Sequence, residues 1–494
     1  MTTRLRTCAA FSGIAVLIWI FLIGNFNNIL KSLAVIVCLP LALVAFAFIY
    51  KLICKYDDKL KKHARLFSFI ALSVMFVLLL ICGFMNRQKI HDSVWCGLPD
   101  FINVMVNSQS LAENDTFIWS EYFARFPNNI AIMLLYTGVG KLLVLFTGSA
   151  AFLYEVAIIL NAVFITLGIW LCMRTSALLG GTKAAAICFV ICFFSSPLYL
   201  VMPLAYTDVI SFMFTSVVLY FFVRFIRQKK LLYLALSGGI CAVGMMFKMT
   251  AGILAIAVVI ILLLGKKSSL KRAGIFLLAL AVLFAGLNIC IDNSGLISPE
   301  QSEKYEFPMQ YWIMMSLAGS GGFDAYSYDM ILHTEGYEQK KEIATAEMLR
   351  RIEEKGFSGL AYHMLITKVT TMWDSGTMDL FWRLVEPQSE NPINTLITNE
   401  MTNKIVLAAS QGFYAAILLL AMICGIKHRR SKPYQVMLLT IFGVFLFFMF
   451  WEAEGRYLIQ FMPIFLVLAS IGIRPTYMAV INLKNKTRHR KAVK

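Results

Sequence analysis

The chain is dominated by continuous apolar runs of about 18 or more residues, which short polar intervals separate. Hydrophobic residues make up 59% of its 494 residues and charged residues only 15%, proportions that soluble globular domains rarely reach. Runs of this length are stable in a bilayer as helices, because a helix pairs its backbone polar groups internally. Their continuity excludes a transmembrane β-barrel, in which apolar and polar residues alternate. The sequence therefore predicts an all-α polytopic membrane protein.

The net charge of +17 is distributed in a way that indicates membrane orientation and not a nucleic-acid partner. Lys and Arg concentrate in short intervals between apolar runs, which is the positive-inside pattern of cytoplasmic loops. The long interval 293–403 shows the reverse, an excess of acidic residues. We therefore predict a cell-membrane protein whose two termini are cytoplasmic and whose interval 293–403 is extracytoplasmic. The basic intervals are 51–65, 224–230, 266–272, 427–432 and 474–494.

Crossings counted between these basic intervals predict about 12 transmembrane helices. Residues 1–65 form an N-terminal transmembrane hairpin and a basic cytoplasmic loop, and 66–292 form the transmembrane catalytic module. Residues 293–403 are the large extracytoplasmic loop region. Residues 404–494 are the C-terminal transmembrane helices with a basic cytoplasmic tail.

Three apolar stretches inside residues 66–292 differ in how they are predicted to lie relative to the membrane. If the basic intervals are cytoplasmic, the chain must cross the membrane an even number of times between Asp100 and Leu153. The stretch 128–147 is therefore predicted to lie at the outer surface or to dip into it, and not to cross the membrane alone. The run 231–265 is interrupted at 247–250, which predicts a hairpin with Lys248 near the outer surface. By contrast, 184–203 is predicted as a single span.

Under this topology, ionisable residues from distant parts of the chain meet at the outer surface. They are Asp100 in the first outer loop, Asp208, Lys248 and the charged residues of 451–457. Ionisable groups near membrane depth are costly, and by default they mark a functional site. Plainer interpretations stay open, because each aspartate could cap a helix, Lys248 could extend to the interface, and the charges of 451–457 could pair locally.

Carboxylates combined with Lys and Arg beside a membrane suit transfer from a lipid phosphate. A carboxylate can accept the proton of a hydroxyl group as that group attacks. Cations can stabilise a phosphate leaving group, and the planar fork of Arg456 is the side chain of 451–457 best suited to hold one. A lipid-phosphate sugar would present its head group at this depth.

Short motifs follow one another in order between residues 66 and 475. They are Asp100 with Asn103, Val104 and Asn107, then Tyr122 to Asn129, Tyr206 to Asp208, Phe247 to Thr250, Phe307 to Trp312 and Glu454 to Tyr457. This order resembles the GT-C superfamily of membrane glycosyltransferases, and most closely bacterial transferases of the family-39 type. The superfamily includes protein O-mannosyltransferases, the lipid A aminoarabinose transferase and the oligosaccharyltransferase catalytic subunit.

The resemblance implies a GT-C-like fold with juxtamembrane helices in the first outer loop, and a displacement with inversion at the anomeric carbon. Asp100 would act as the general base or orient the acceptor, and Asp208 would support the site or a metal. Lys248 and Arg456 would hold the phosphate of the donor. The other substrate-binding candidates are Glu454, Tyr457, Tyr122 and Asn128.

The implied partners are a polyprenyl-phosphate sugar donor, the lipid bilayer and a cell-envelope acceptor, which is a polymer, a glycolipid or a protein. A divalent metal is left open, because members of the superfamily differ in metal use. Two other functions also stay open. One is a transporter or lipid flippase, although the sequence shows no convincing inverted repeat. The other is a polysaccharide polymerase or ligase with a lipid-diphosphate donor, which would rely more on arginines than on an aspartate base.

Overall fold

The computed structural model describes residues 2–87, 99–118, 120–265, 269–383 and 398–492. Throughout these ranges the chain forms helices and turns, and no strand. The all-α prediction is therefore confirmed. Asp92, which the sequence assigns to a solvated loop, lies outside the described ranges.

Helices of very different length follow one another along the chain. The first twelve are α1 (Thr2–Phe26), α2 (Ile29–Lys55), α3 (Asp57–Lys62), α4 (Ala64–Met85), α5 (Pro99–Asn114), α6 (Ser120–Arg125), α7 (Ile130–Thr147), α8 (Leu153–Gly180), α9 (Thr182–Phe193), α10 (Ser196–Leu200), α11 (Thr207–Gln228) and α12 (Leu231–Phe247). The others in the described ranges are α13 (Gly252–Leu263), α14 (Ser269–Asp292), α15 (Pro299–Tyr305), α16 (Met309–Ser316), α17 (Ala325–Leu332), α18 (Tyr337–Tyr362), α19 (Lys368–Trp373), α20 (Leu380–Arg383), α21 (Glu400–His428), α22 (Lys432–Phe450) and α23 (Met462–Ala492).

Ten helices in the described ranges are long and apolar enough to cross a membrane, judged by length and composition. The shorter apolar helices α9, α12 and α13 pack among them. The polytopic architecture is thus confirmed, whereas the count of about 12 crossings stays a prediction. The ten are α1, α2, α4, α7, α8, α11, α14, α21, α22 and the segment Gly455–Ala479.

The stretch 184–203, predicted as a single span, is not one continuous helix. Helix α9 ends at Phe193, and α10 begins at Ser196 after an extended Ser195. The cause is Pro197, which lacks a backbone N–H and whose ring would clash with the carbonyl group of Phe193, four residues before it, in one continuous helix. With 12 residues, α9 is about 18 Å long, which is shorter than the hydrocarbon core.

The predicted interruption of the run 231–265 is confirmed. Helix α12 ends at Phe247, and Lys248 is extended, with φ −154° and ψ 106°. A short 3₁₀ turn, Met249–Ala251, then leads into α13. Because α12 packs on α11 and α14 while α13 packs on α22, Lys248 lies where these helices meet.

The stretch 128–147 corresponds to the helix α7, whose 18 residues are preceded by the 3₁₀ turn Pro127–Asn129. It packs against α5, and an exposed ion pair joins Lys141 Nζ to Asp115 Oδ1 at 2.7 Å. By length and composition α7 is also a candidate span. Its location at the outer surface therefore stays a prediction.

The core of the helical bundle is formed by α8, α11, α21 and the first part of α23. The segment Gly455–Ala479 is almost wholly buried, whereas α14 exposes most of its apolar side chains. Helix α23 packs on α21, α8 and α9, and α11 packs on α8 and α12. Asp208 and Arg456 stand at the start of the two buried elements α11 and Gly455–Ala479, so rigid neighbours hold both side chains.

The large-loop region, residues 293–403, has a small core of its own. Helices α16, α17 and α18 enclose the buried side chains of Tyr311, Met314, Ile331 and Ala344. Helix α18 packs on α16 and α17. It contains a break at Gly356, where φ is 57°, and a π-helical turn, His363–Thr367, leads from it into α19.

A buried ion pair attaches α18 to this core. Arg351 Nε donates to Glu347 Oε1 at 2.7 Å. Arg351 Nη1 donates to the Met314 carbonyl oxygen at 2.9 Å and to Ser327 Oγ at 2.8 Å. One guanidinium group thereby joins α18 to both α16 and α17.

We expect Glu347→Gln to destabilise the large-loop region at neutral pH by on the order of 1–2 kcal/mol. Hydrogen bonds from Arg350 and then Arg351 lower the pKa of Glu347 from 4.5 to about 2. The ionised carboxylate therefore stabilises the fold above about pH 4.5, and its contribution is lost as the pH falls towards 2. Thermal unfolding across this range should show a shallower loss for Glu347→Gln than for wild type. Glu342→Gln, which changes an exposed acid on the same helix, should follow the wild-type profile.

Candidate active site

A cavity of about 1430 Å³ lies where the ends of several membrane helices meet the large-loop region. Apolar and aromatic side chains form much of its wall, and charged groups converge on it, a combination typical of ligand sites. The charged lining residues are Asp100, Glu121, Arg125, Lys248, Asp379, Glu452, Glu454 and Arg456.

Asp208 is the buried centre of the charge network beside this cavity. It is the second residue of α11, and its side chain is 1% exposed. The unpaired N–H groups of a first helical turn favour a carboxylate there. Asp208 Oδ1 accepts a hydrogen bond from Lys248 Nζ, and Oδ2 accepts one from Arg456 Nη1 at 3.2 Å. One buried carboxylate is therefore compensated by two cations, as a buried charge requires.

Lys248 reaches Asp208 because the helix breaks at this position. Its Nζ also lies 4.5 Å from the centroid of the Tyr457 ring, which permits a cation–π interaction. Tyr457 is fixed in turn, since its hydroxyl donates to Glu452 Oε2 at 2.8 Å and its ring stacks on Phe448. The ammonium group is thus held between a carboxylate and an aromatic face at the cavity wall.

The guanidinium of Arg456 connects three carboxylates. Its Nε donates to Glu454 Oε2 at 2.7 Å, and its Nη1 donates to Asp208. Its Nη2 lies 4.0 Å from Asp100 Oδ2, which is an ion-pair separation and beyond hydrogen-bond distance. The Nε and Nη1 atoms of Arg456 are therefore anchored by carboxylates, and its Nη2 atom faces Asp100.

Asp100 is oriented by a chain of hydrogen bonds. It is the second residue of α5, and its side chain is 29% exposed. Tyr122 donates its hydroxyl proton to Asp100 Oδ1 at 2.6 Å, and Asn129 Nδ2 donates to the Tyr122 hydroxyl oxygen at 2.6 Å. The hydroxyl of Tyr206 donates to Asn129 Oδ1 at 2.8 Å. This series of hydrogen bonds fixes the orientation of the Asp100 carboxylate and leaves it accessible from the cavity.

Both tyrosines of this chain are hydrogen-bond donors at neutral pH. Burial, followed by the charge of Asp100, raises the pKa of Tyr122 well above its usual value. Burial and the same carboxylate also raise the pKa of Tyr206. Because both hydroxyl groups keep their protons, Asp100 is the acceptor at the end of the chain.

Gly455 permits a close approach between two loops beside the cavity. A Cβ atom at this position would lie 2.4 Å from Asp379 Oδ2, so a side chain does not fit without movement. Asp379 and the preceding Met378 have φ values of 56° and 53°, a conformation that is strained for residues other than glycine. Asp379, which the sequence analysis did not select, thus packs against the turn that carries Arg456.

The structure brings the predicted site residues together. Asp100, Tyr122, Asn128, Lys248, Glu454, Arg456 and Tyr457 line one cavity. Asp208 is not part of the lining and lies behind the two cations that it binds. Their catalytic and binding roles stay predictions.

Other lining residues were missed, although several belong to the motifs that carry the superfamily resemblance. Asn129 and Tyr206 complete the hydrogen-bond chain to Asp100. Trp312 stacks on Trp451 with ring centroids 5.6 Å apart and an interplanar angle of 15°. Membership of a motif was the available signal for Asn129, Tyr206 and Trp312, because their contacts come from segments far apart in the chain.

Within the described ranges, no group of three or more His, Cys, Asp or Glu side chains is arranged to hold a metal ion. Asp208, which the resemblance implies to support the site or a metal, has both carboxylate oxygens occupied by Lys248 and Arg456. No metal ligands are therefore assigned.

A family model described as "Conserved hypothetical integral membrane protein" matches residues 10–477. This match covers nearly the whole chain. The chain belongs to this family of integral membrane proteins. A search of curated proteins finds no match.

Solved structures with a similar arrangement of helices include the archaeal oligosaccharyltransferase AglB from Archaeoglobus fulgidus, in complex with an inhibitory peptide and a dolichol-phosphate. The TM-score is 0.47 at 12% identity, over 86% of this chain and 52% of that one. The chain described here thus spans about half the length of the archaeal protein. ArnT from Cupriavidus metallidurans, bound to undecaprenyl phosphate, gives a TM-score of 0.37 at 11% identity, over 83% of this chain and 78% of that one. Both proteins are GT-C glycosyltransferases.

Proposed function

We propose that the chain is an integral membrane glycosyltransferase that transfers a sugar from a polyprenyl-phosphate donor to a cell-envelope acceptor. The observation that carries the proposal is the position of Asp100 opposite the anchored guanidinium of Arg456, at 4.0 Å across one wall of the cavity. A base and a phosphate-binding cation thereby stand side by side at the cavity wall, where an acceptor hydroxyl group would meet the one and a donor phosphate the other. The active site would face the outside, and both termini the cytoplasm.

In the proposed reaction, Asp100 accepts the proton of an acceptor hydroxyl group. The hydroxyl oxygen attacks the anomeric carbon and forms the new glycosidic bond, while the bond from that carbon to the phosphate oxygen breaks. The electron pair of this bond leaves with the polyprenyl phosphate. A single displacement of this kind inverts the anomeric configuration. Tyr122 keeps the Asp100 carboxylate directed at the acceptor.

Lys248 and Arg456 supply the positive charge that the leaving phosphate needs. Asp208 is the only carboxylate within ion-pair distance of Lys248 among the described residues, and it is shared with Arg456. Arg456 also pairs with Glu454 and faces Asp100, so these carboxylates fix both cations at the cavity wall. Cations placed where negative charge develops lower the barrier.

The apolar side chains near these cations support a lipid-linked donor. Met249, Phe447 and Phe448 line the cavity beside Lys248, at the ends of the apolar helices α13 and α22. Met249 is 57% exposed, so the cavity wall continues onto the apolar surface of the helix bundle. A polyprenyl chain would pass along these side chains into the bilayer while its phosphate stays at the cations.

We expect Lys248→Met to weaken the binding of a polyprenyl phosphate by about tenfold or more, since a charge-assisted contact to the phosphate is lost. Binding of a fluorescent polyprenyl phosphate to the purified protein in detergent measures the effect. Lys141→Met is the matched control, because Lys141 lies exposed on α7 and pairs with Asp115. Equal affinity of Lys248→Met and wild type would remove the lysine from the donor site.

A further inference from the structure

The segment 451–454 determines where Arg456 lies. It joins the end of α22 to the 3₁₀ turn Gly455–Phe461, and both Trp451 and Glu454 are extended. An extended segment cannot pair its backbone polar groups as a helix does, so other parts of the chain must supply partners. Because Glu454 holds the Arg456 guanidinium, a displacement of this segment would displace the proposed phosphate site.

The large-loop region supplies those partners. Lys368 Nζ donates to the Trp451 carbonyl oxygen at 2.7 Å. Ser316 Oγ donates to the Phe450 carbonyl oxygen at 3.3 Å, and the Ala453 backbone N–H donates to the Gly321 carbonyl oxygen at 2.8 Å. Three contacts thus attach the backbone at 450–453 to the large-loop region.

The Lys368 contact differs from the other two because its donor is a buried ionisable group. The residue is 2% exposed, and its Nζ also lies 3.3 Å from the Ser316 carbonyl oxygen. Within the described ranges it forms no ion pair with a carboxylate, and burial lowers its pKa to about 7. Burying an ammonium group among backbone carbonyls is costly, but a charge-assisted bond is stronger and more directional than a neutral one.

The aliphatic part of the Lys368 side chain also supports the hydrogen bond between Ala453 and Gly321. A Cβ atom at Gly321, where φ is +85°, would lie 2.7 Å from Lys368 Cγ, so the lysine packs directly on the glycine backbone. That same glycine accepts the hydrogen bond from Ala453. One side chain therefore contacts the segment 451–454 directly through Trp451 and indirectly through Gly321.

We infer that Lys368 is a positioning residue for donor binding, which holds the segment 451–454, and with it Glu454 and Arg456, in the conformation that receives the donor phosphate. Lys368 is not part of the cavity lining, so it acts through this segment. The inference rests on the proposed function. It separates Lys368 from Asp100, because a residue that positions the phosphate site affects the affinity for the donor more than the proton transfer.

The test compares Lys368→Met and Lys368→Arg with wild type in steady-state transfer from a polyprenyl-phosphate hexose. Lys368→Met should raise the KM for the donor by about tenfold or more and change kcat by less than about threefold. Lys368→Arg, which keeps the charge, should recover part of the affinity. Lys340→Met is the matched control, since Lys340 is equally buried in the large-loop region and donates to the Lys304 carbonyl oxygen, away from 451–454.

Amide hydrogen exchange at 451–457 provides a readout that needs no activity. In Lys368→Met these amides should exchange faster than in wild type, whereas Lys340→Met should leave them unchanged. The inference would be overturned if Lys368→Met and Lys340→Met lost kcat and donor affinity to the same extent. It would also be overturned if amide exchange at 451–457 were unchanged in Lys368→Met. Absence of turnover in wild type would count against the proposed function, and the exchange result would still decide the role of Lys368.

Discussion

Asp100→Asn is expected to reduce the rate of sugar transfer by about 10²–10⁴-fold, the contribution that a positioned general base makes. Asparagine has nearly the same shape and can still accept the hydrogen bond from Tyr122, so the cavity should keep its form. It cannot take the proton of an acceptor hydroxyl group. The loss should therefore appear in kcat, while the affinity for the donor changes by less than about threefold. Single-turnover transfer and donor binding measure the two quantities separately.

The control for this substitution is Asp115→Asn. Asp115 follows α5, is exposed and pairs only with Lys141 in the described ranges, so its change removes a carboxylate close in sequence but outside the cavity. It should transfer sugar at the wild-type rate. Full activity in Asp100→Asn would show that another group takes the proton and that the hydrogen-bond chain from Tyr206 serves only the fold.

Asp208→Asn is expected to destabilise the protein by about 3–5 kcal/mol, because it leaves two buried cations without their shared carboxylate. A saturating polyprenyl phosphate should recover much of this loss, since its phosphate brings negative charge to Lys248 and Arg456. Wild type should gain less from the same ligand. Thermal unfolding in detergent with and without polyprenyl phosphate measures the difference.

Asp374→Asn is the comparison for this second prediction. Asp374 pairs with Lys31 in a partly exposed ion pair, so its loss should cost at most about 1 kcal/mol and should not depend on the ligand. If Asp208→Asn is no less stable than Asp374→Asn, the network does not hold its charges as the structure indicates. If the ligand stabilises Asp208→Asn no more than wild type, the two cations do not bind the phosphate.

The helical fold could be predicted from the sequence because hydropathy determines it. A polar Lys248 within a long apolar run indicates a break, and the structure contains that break. The end of α9 was not foreseen, since the run over 184–203 stays apolar and only Pro197 interrupts the backbone hydrogen bonds. Proline is also tolerated inside helices of this chain, as Pro40 in α2 demonstrates, so its presence alone does not predict an end.

The site could be predicted as far as charge and topology allow. Asp100, Asp208, Lys248 and Arg456 are charged residues at the ends of apolar runs, and placing those ends on one side of a membrane brings them together. The hydrogen-bond chain through Asn129 depends instead on side-chain packing between α6, the turn Pro127–Asn129 and the start of α11. The contact from Lys368 to Trp451 joins residues 83 positions apart through a backbone carbonyl, a partner that no residue type reveals.

The most direct test of the proposed transfer is the turnover of radiolabelled polyprenyl-phosphate hexoses by the purified protein, with a cell-envelope extract as the source of acceptor. We predict that wild type and Asp115→Asn move the label from the polyprenyl phosphate to an envelope product, while Asp100→Asn binds the donor without moving the label. If wild type neither binds nor consumes any polyprenyl-phosphate hexose, the account is contradicted, and the charges around Asp208 serve another purpose.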